Sequence, residues 1–554
     1  MAENIKRIID SFAQVFPPTE DGEIHITGEN RTKAFEVWGS ELWSVYQWSA
    51  RDVHSALEYA NDKYFDPSFN VNQLNAKFFH LFASNAVTSP ECWERDFPFV
   101  FAASNKSGAM EYKIDFKLLA AHIIKSGQYA FLNNSVYLYD NGVYTALCDD
   151  VFRGYVMSYV TALDCTLAKT SGIDGAVRDV KSDNGHRRNP SEFNSDENII
   201  NFQNGVLHLD TMELAPHSPD ILSTIQIPCN WSIAEEFPVC PIFDGYLNDL
   251  ANGDEEIIRF LWQYIGVTIS NIPGYVTKSA LFLYGAGNTG KSQFLELLSR
   301  LVGKANSTSI DLAELEERFG TFSLLHKRLA GSPDMSFAKV SEMKIFKKLV
   351  GGDDIGFEQK GKEKVIDKYK GVLLFCCNEL PKFGGDKGDH VYERMIIINC
   401  RNIIPAEKRD CDLIKKMYAE REAIVFKAVR ALKKFIANGK RFNIPKCCEA
   451  ETKKYKVGND NALRFLEECT IIRERNPSYN DVLTCGNMYR AYKSWVEEEG
   501  EAYKCPLSDF IKAACSFYGF ADKDEARTSP QRGRRHYRFT LKPSYYHLCG
   551  YADL

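Results

Sequence analysis

Apolar positions recur along this chain with two periods, one near 3.6 residues and one near 2, and the switches between them predict its elements. Leu281 to Tyr284 form a four-residue apolar and aromatic run closed by glycines, which predicts a short buried strand; QFLELLSRLV (293–302) then repeats at helical spacing. A second buried strand is predicted in GVLLFCCNELPKF (371–383), which ends at Asn378 and is closed by Pro381. YAFLNNSVYLYDNGVYTAL (129–147) alternates about Asp140-Asn141-Gly142 and predicts a β-hairpin. INFQNGVLHLDTMELAPHSP (200–219) predicts two short strands joined near Asp210-Thr211, and FDGYLNDLANGDEEIIRFLWQYIGVTI (243–269) two packed helices. The long helical period of residues 407–439 stops at a glycine and suggests a lid or small helical subdomain. Aromatic-rich helical stretches such as KAFEVWGSELWSVYQW precede a polar break at SNKSGAM (104–110), and SDNGHRRNPSEFNSDEN (182–198) reads as an exposed loop. No fixed-period repeat or low-complexity tract interrupts these patterns.

Composition narrows the class. A chain of 554 residues is long enough for three or four domains. Its formal charge of -6 means that nucleic-acid binding would have to come from local basic patches. Sixteen cysteines contain no C-x-x-C pair, and the adjacent pairs Cys376-Cys377 and Cys447-Cys448 lack zinc spacing, so reduced thiols are expected. Polar residues interrupt every apolar run of MAENIKRIIDSFAQVF, and no window approaches eighteen apolar residues. The expectation is a soluble, cytoplasmic protein without a membrane partner.

The turn between the first strand and its helix carries the sharpest chemistry. Gly285, Ala286, Gly287, Asn288, Thr289 and Gly290 followed by Lys291 and Ser292 fit G-x-x-x-x-G-K-[ST]. In that pattern glycines let backbone N–H groups face phosphate oxygens, the lysine reaches the β/γ-phosphates and the serine hydroxyl ligates Mg²⁺. ATP and Mg²⁺ are therefore the expected cofactors. Such a loop needs an acidic residue for the metal and a polar sensor near the γ-phosphate. RLAGSPDMSF (328–337) offers Asp334 for the metal, although Gly331 and Pro333 should weaken its strand. The base that orients water is left among Asp334, Glu342 and a residue from elsewhere. Asn378, at a strand end, suits the sensor. Between them FEQKGKEKVI (357–366) reads as a hairpin tipped by Lys360, Lys362 and Lys364.

The order GAGNTGKS, SPDMSF, FKKLVGGDDI, LLFCCNELPKF and the arginine of VYERMIIINC resembles the superfamily 3 helicases, above all the helicase modules of phage and plasmid primases and of poxvirus-type primase-helicases. NIINFQNGVLHLDTMELAPHSP is similar to the domain that precedes the helicase there, so the likeness spans about residues 125 to 545. It implies a multidomain α/β chain with an AAA+ P-loop ATPase core, working as a homo-oligomeric ring, a hexamer, that draws single-stranded DNA through its pore. It implies Lys291 and Ser292 as the phosphate-loop pair, Asp334 as the second acidic motif, Asn378 as sensor and Arg394 as the finger that reaches a neighbour's ATP. Asp353 would belong to the middle motif, and the lysine-tipped hairpin would face DNA in the pore. LTCGNMYRAYKSWVEEEG through RRHYRFTLKP resembles a winged-helix tail, with Arg527, Arg532, Arg534, Arg535 and Arg538 near a hairpin placed to bind duplex DNA.

The expected division is an unassigned domain at 1–110, an α+β domain at 111–239, a helical oligomerisation segment at 240–276, the motor with its lid at 277–445 and the winged tail at 446–554. The first 110 residues show no zinc spacing for a primase module, so a separate primase or host replication proteins are expected partners. The functional expectation is an ATP-dependent replication helicase of a phage, plasmid or mobile element. Its rivals are an origin-binding initiator with weak ATPase and an AAA+ protein remodeller, although remodeller pore loops usually present an aromatic residue where this hairpin has lysines.

Overall fold

The computed structural model describes residues 2–18, 22–48, 50–70, 73–74, 77–78, 81, 97–104, 110–125, 129–132, 135–161, 167–232, 238–335, 343–358, 360, 364–383, 389–472, 484–500, 504–527 and 536–549. The chain divides into two compact units, Met1–Phe193 with Ser218–Thr224, and Asn194–His217 with Ile225–Leu554.

In the first unit α1 (Ala2–Ala13), α2 (Glu29–Ser44) and α3 (Ala50–Tyr64) are followed by a hairpin of β1 (Val100–Ser104) and β2 (Met110–Ile114). Next come α4 (Phe116–Lys125), the antiparallel strands β3 (Tyr129–Leu132), β4 (Ser135–Asp140) and β5 (Val143–Leu147), then α5 (Asp149–Thr161) and α6 (Thr170–Lys181). The predicted hairpin forms with Asp140 opposite Val143, and Asn141 and Gly142 take the positive φ values of 46° and 88° that a two-residue turn of this hand requires. One apolar core runs from Ile9 and Phe35 through Leu119 to Phe152 and Val180. The boundary expected at residue 110 therefore falls inside a hairpin, because Ser104 pairs with Met110 and the core continues past it.

The second unit starts with three antiparallel strands, β6 (Ile199–Phe202), β7 (Gly205–His208) and β8 (Leu214–Ala215). The sequence reading missed one turn here: Phe202 pairs with Gly205, whose φ of 152° is open to glycine and whose Cβ would lie 2.5 Å from the Ala215 carbonyl oxygen. Helices α7 (Pro241–Leu250) and α8 (Glu255–Ile269) lead to β9 (Ala280–Tyr284), α9 (Lys291–Leu301), β10 (Ser307–Ser309) and β11 (Leu329–Ser332). Then come α10 (Lys344–Gly351), a hairpin of β12 (Ile355–Phe357) and β13 (Val365–Asp367), β14 (Val372–Cys377) and β15 (Met395–Asn399). Five of these strands form a parallel sheet in the order β10-β11-β14-β9-β15.

Both faces of that sheet are covered, which is why β9 and β14 read as unbroken apolar runs. Leu281, Leu283, Leu374, Cys376, Ile396 and Ile398 enter one core with residues of α8 and α9. Phe282, Phe375 and Ile397 enter the other with Phe346 and Leu349 of α10. Gly331 does not weaken β11 as expected: a Cβ there would lie 1.6 Å from the Leu374 carbonyl oxygen, so glycine is what lets β11 and β14 approach. Helix α11 (Arg421–Ala437), in the segment expected as a lid or small helical subdomain, buries Ile424, Val425, Ala428, Leu432 and Phe435 in the first of these cores.

Helix α12 (Lys446–Asn459) follows, and then α13 (Asn461–Cys469), β16 (Thr470–Ile472), α14 (Cys485–Glu498), α15 (Leu507–Tyr518) and β17 (Phe539–Leu541). Helices α13, α14 and α15 and strand β17 share a core that includes Phe465, Tyr492, Trp495, Phe510, Tyr537 and Phe539, and β16 pairs antiparallel with β17. No helix among the described residues is long and apolar enough to cross a membrane.

Candidate functional site

The carboxyl ends of β9, β14 and β11 lie side by side, and each delivers one of the predicted groups. The glycine turn leaves β9 at Tyr284 and is tied down on both sides. Gly285 N–H donates to the Cys377 carbonyl at 3.3 Å, Cys400 N–H to the Tyr284 carbonyl at 2.7 Å, and Ile404 N–H to the Asn288 carbonyl at 2.9 Å. Positive φ values at Gly285 (138°), Asn288 (63°) and Gly290 (91°) curl the backbone. A Cβ on Gly285 would lie 2.3 Å from the Cys400 carbonyl oxygen, so no larger residue fits.

Lys291 opens α9 and is buried, with its ammonium inside the curl: Nζ donates to the Gly285 and Ala286 carbonyls at 2.7 Å and to Thr289 Oγ1 at 3.1 Å. The N-terminus of α9 points into the same curve and favours an anion there. Ser292 Oγ donates to the Pro333 carbonyl at 2.6 Å, which brings its hydroxyl beside Asp334. Met335 N–H donates to the Cys376 carbonyl at 2.7 Å and holds the Asp334 segment against β14. Burial pushes the Cys377 thiol up to about 12; the Lys291 ammonium pulls against this and the Asp334 carboxylate adds to it, so both charges act on one thiol. Asn378 is exposed at the end of β14.

The cradle fits phosphate oxygens, and a serine hydroxyl with an aspartate carboxylate are hard oxygen donors of the kind Mg²⁺ takes. Among the described residues no three His, Cys, Asp or Glu side chains group as ligands for a metal. Glu342, the other acidic candidate, lies outside the described residues.

Arg394 is at the other end of the sheet. It immediately precedes β15, its carbonyl accepts from Ala280 N–H at 2.9 Å, and Ala280 opens β9. At roughly 3.3 Å per residue, the five residues of β9 separate that level from the glycine turn by about 16 Å. The structure therefore brings Lys291, Ser292, Asp334 and Asn378 together and leaves Arg394 apart from them.

Asp353 follows the left-handed C-cap of α10, Gly352, and donates its N–H to the Lys348 carbonyl at 3.1 Å. The hairpin after it pairs Ile355 with Asp367 and Phe357 with Val365; Lys360 is exposed at the turn, and Lys364 lies across Gly356. Lys362 lies outside the described residues, as do Arg532, Arg534 and Arg535. Arg527 places its guanidinium 5.6 Å from the centre of the Tyr537 ring.

Two neighbours of the turn escaped the sequence reading. Tyr246 of α7 donates its hydroxyl to the Gly290 carbonyl at 2.8 Å, and burial raises the phenol well above its usual range. Glu451 of α12 accepts from the Tyr284 hydroxyl, from Asn399 Nδ2 at 3.3 Å and from Arg401 Nη2 at 2.8 Å, which anchors α12 to the ends of β9 and β15. Neither sits in a local pattern; each reaches the turn through the fold alone.

Comparison with known proteins gives two partial family matches. Residues 165–252 match the family described as D5 N terminal like, and residues 283–394, from within β9 to Arg394, match a family of unknown function (DUF5906). An uncharacterized mitochondrial protein ymf21 of Marchantia polymorpha is 27% identical over 136 residues, 23% of this chain and 74% of that protein. Among solved structures, the A-form apo structure of the NrS-1 C-terminal region aligns with 76% of this chain and 98% of its own at 13% identity and a TM-score of 0.43. The apo structure of NrS-1 C-terminal region 305–718 aligns with 73% and 86% at 12% identity and 0.39. Residues 165–252 are thus similar to a D5 N terminal like segment.

Proposed function

We propose that this chain is an ATP-dependent DNA helicase acting in the replication of a phage, plasmid or mobile element, and that it works as a ring of AAA+ subunits, a hexamer. The observation that carries the reading is the convergence of the glycine turn, Asp334 and Asn378 at the carboxyl ends of three adjacent parallel strands, the place where open α/β sheets hold ligands. The D5 N terminal like segment supports replication as the setting.

In this reading the curled backbone and Lys291 hold the β- and γ-phosphates, and Ser292 and Asp334 hold Mg²⁺. An ion held there would supply positive charge against the charge that develops on the phosphate oxygens. Asn378 orients the γ-phosphate or the attacking water from the end of β14. Arg394, about 16 Å from its own turn by strand rise, serves the site of the adjacent subunit, which makes hydrolysis a property of the ring. The hairpin of Lys360, Lys362 and Lys364 contacts single-stranded DNA, and the basic C-terminal segment with Arg532, Arg534 and Arg535 contacts duplex as a winged helix.

The test is ATP hydrolysis by the full chain and by Lys291→Ala, each with and without single-stranded DNA. Expected is hydrolysis stimulated by the strand and abolished in the variant while the melting temperature holds. Stimulated hydrolysis that survives in Lys291→Ala would sink the motor assignment. Hydrolysis indifferent to DNA would point to a protein remodeller, and duplex binding without hydrolysis to an initiator.

A further inference from the structure

The loop 182–189, read from sequence only as exposed and polar, is fastened along the edge of the three-stranded sheet of the first unit. Phe131 N–H donates to the His186 carbonyl at 2.8 Å and Arg188 N–H to the Phe131 carbonyl at 3.0 Å, so the loop runs parallel to β3 as a partial fourth strand. Asp183 locks it: one carboxylate oxygen accepts from His186 N–H at 3.1 Å, from His186 Nδ1 at 2.5 Å and from the Tyr129 hydroxyl at 3.3 Å. The Tyr129 and His186 rings stack with centroids 4.3 Å apart, and the His186 side chain keeps 20% of its surface exposed.

Two guanidinium groups project from this frame. Arg187 is exposed and lies 4.9 Å from the centre of the Phe131 ring, while Arg188 Nη1 donates to the Gly185 and Arg187 carbonyls at 3.0 and 2.9 Å. Among the described residues neither pairs with a carboxylate. Asp183 is engaged by His186 and Tyr129, and Asp220, which with Arg188 acts on the Tyr144 hydroxyl, forms no ion pair with it. The site therefore has positive charge on a fastened loop, beside an aromatic stack whose His186 ring keeps 20% of its surface exposed.

We propose that this loop is a contact site for single-stranded nucleic acid, in which Arg187 and Arg188 take successive phosphates and the exposed part of the His186 ring meets a base. Guanidinium groups interleaved with rings match a strand, which carries both phosphates and π-faces; an acidic peptide carries only the charge. A loop locked before binding loses little conformational freedom when it binds. The proposal stands apart from the reading of the glycine turn.

The experiment measures anisotropy of a labelled mixed-sequence single strand on the full chain, without nucleotide, across a salt series. Arg187→Ala/Arg188→Ala should weaken binding about tenfold near 0.1 M salt and lower the log–log salt slope by about 1.4, two phosphates at about 0.7 each. Arg187→Lys/Arg188→Lys, which keeps both charges and guards against a folding defect, should retain the slope, and His186→Ala should weaken binding with the slope unchanged. With no nucleotide present, the measurement is separate from the ATPase. Unchanged affinity and slope in the double alanine variant overturn the proposal, as does a variant that loses polyglutamate binding and keeps the strand.

Discussion

Two arginines at the amino end of the same parallel sheet, each the residue just before a strand, are used in opposite ways. Arg328, before β11, is 3% exposed and donates Nε to the Thr268 carbonyl at 2.9 Å, Nη1 to Lys370 at 2.7 Å, and Nη2 to Ile272 at 2.8 Å and to Val267. It thereby closes the last carbonyls of α8, where a cation also suits the helix dipole. Burial pulls its pKa down to about 10, which leaves it charged at neutral pH. Arg394, before β15, donates Nη1 to the His390 carbonyl, and its buried Nε makes no hydrogen bond among the described residues. A guanidinium offers five N–H donors, and leaving one buried and unpaired costs about 1–3 kcal/mol. The saturated arginine is a clamp of the fold. The under-used one fits a group whose partner comes from outside the subunit.

The largest effect that can break this contrast is catalytic. Arg394→Ala should cut ATP hydrolysis by roughly 10³-fold or more, in line with fingers of comparable NTPases, while the melting temperature stays near wild type. Mixing Arg394→Ala with Lys291→Ala subunits should restore part of the activity, because some interfaces then pair an intact turn with an intact arginine. No recovery, with subunit exchange shown by a labelled chain, would mean that Arg394 acts within its own subunit or only in packing.

Arg328→Met should do the reverse. It leaves the Thr268 and Ile272 carbonyls without the guanidinium and takes one donor from the Lys370 and Val267 carbonyls, which keep Gly274 N–H and Ser270; a loss of about 3–5 kcal/mol in a denaturant titration is expected, a size reserved for broken buried networks. Samples that remain folded should hydrolyse ATP at the wild-type rate per folded subunit. A loss below about 1 kcal/mol would remove the clamp and with it the comparison.

The contrast between these arginines also marks how far the sequence could be read. LFLYGAGNTGKS was legible because a phosphate cradle is a local device: strand, curl, lysine and helix follow one another within about twenty residues. VLLFCC was legible because a strand covered on both faces must be apolar throughout. Arg328 was not, since its acceptors sit on α8 and before β14, some 42 to 61 residues away in sequence. Gly331 looked like a strand breaker because only the distance to Leu374 shows why it is needed. The expected boundary at residue 110 falls where Val100–Ser104 pair with Met110–Ile114, a pairing across the chain that composition does not reveal.

The smallest effect sits at the carboxyl end of the sheet, at Glu451. Burial raises its pKa, but hydrogen bonds from Tyr284, Asn399 and Arg401 outweigh it, and the carboxyl ends below its usual value of 4.5. A depressed folded-state pKa contributes stability that is present above the unfolded value and is lost as pH falls through the folded one. Glu451→Gln keeps the shape and removes the charge, so it should cost about 1 kcal/mol at neutral pH, as charge-assisted hydrogen bonds become neutral ones. The gap between wild type and variant should hold down to about pH 5 and close below it. A gap that persists unchanged into acid would show that Glu451 acts through packing alone, and that chemistry at this end of the sheet is confined to the turn and its two strand neighbours.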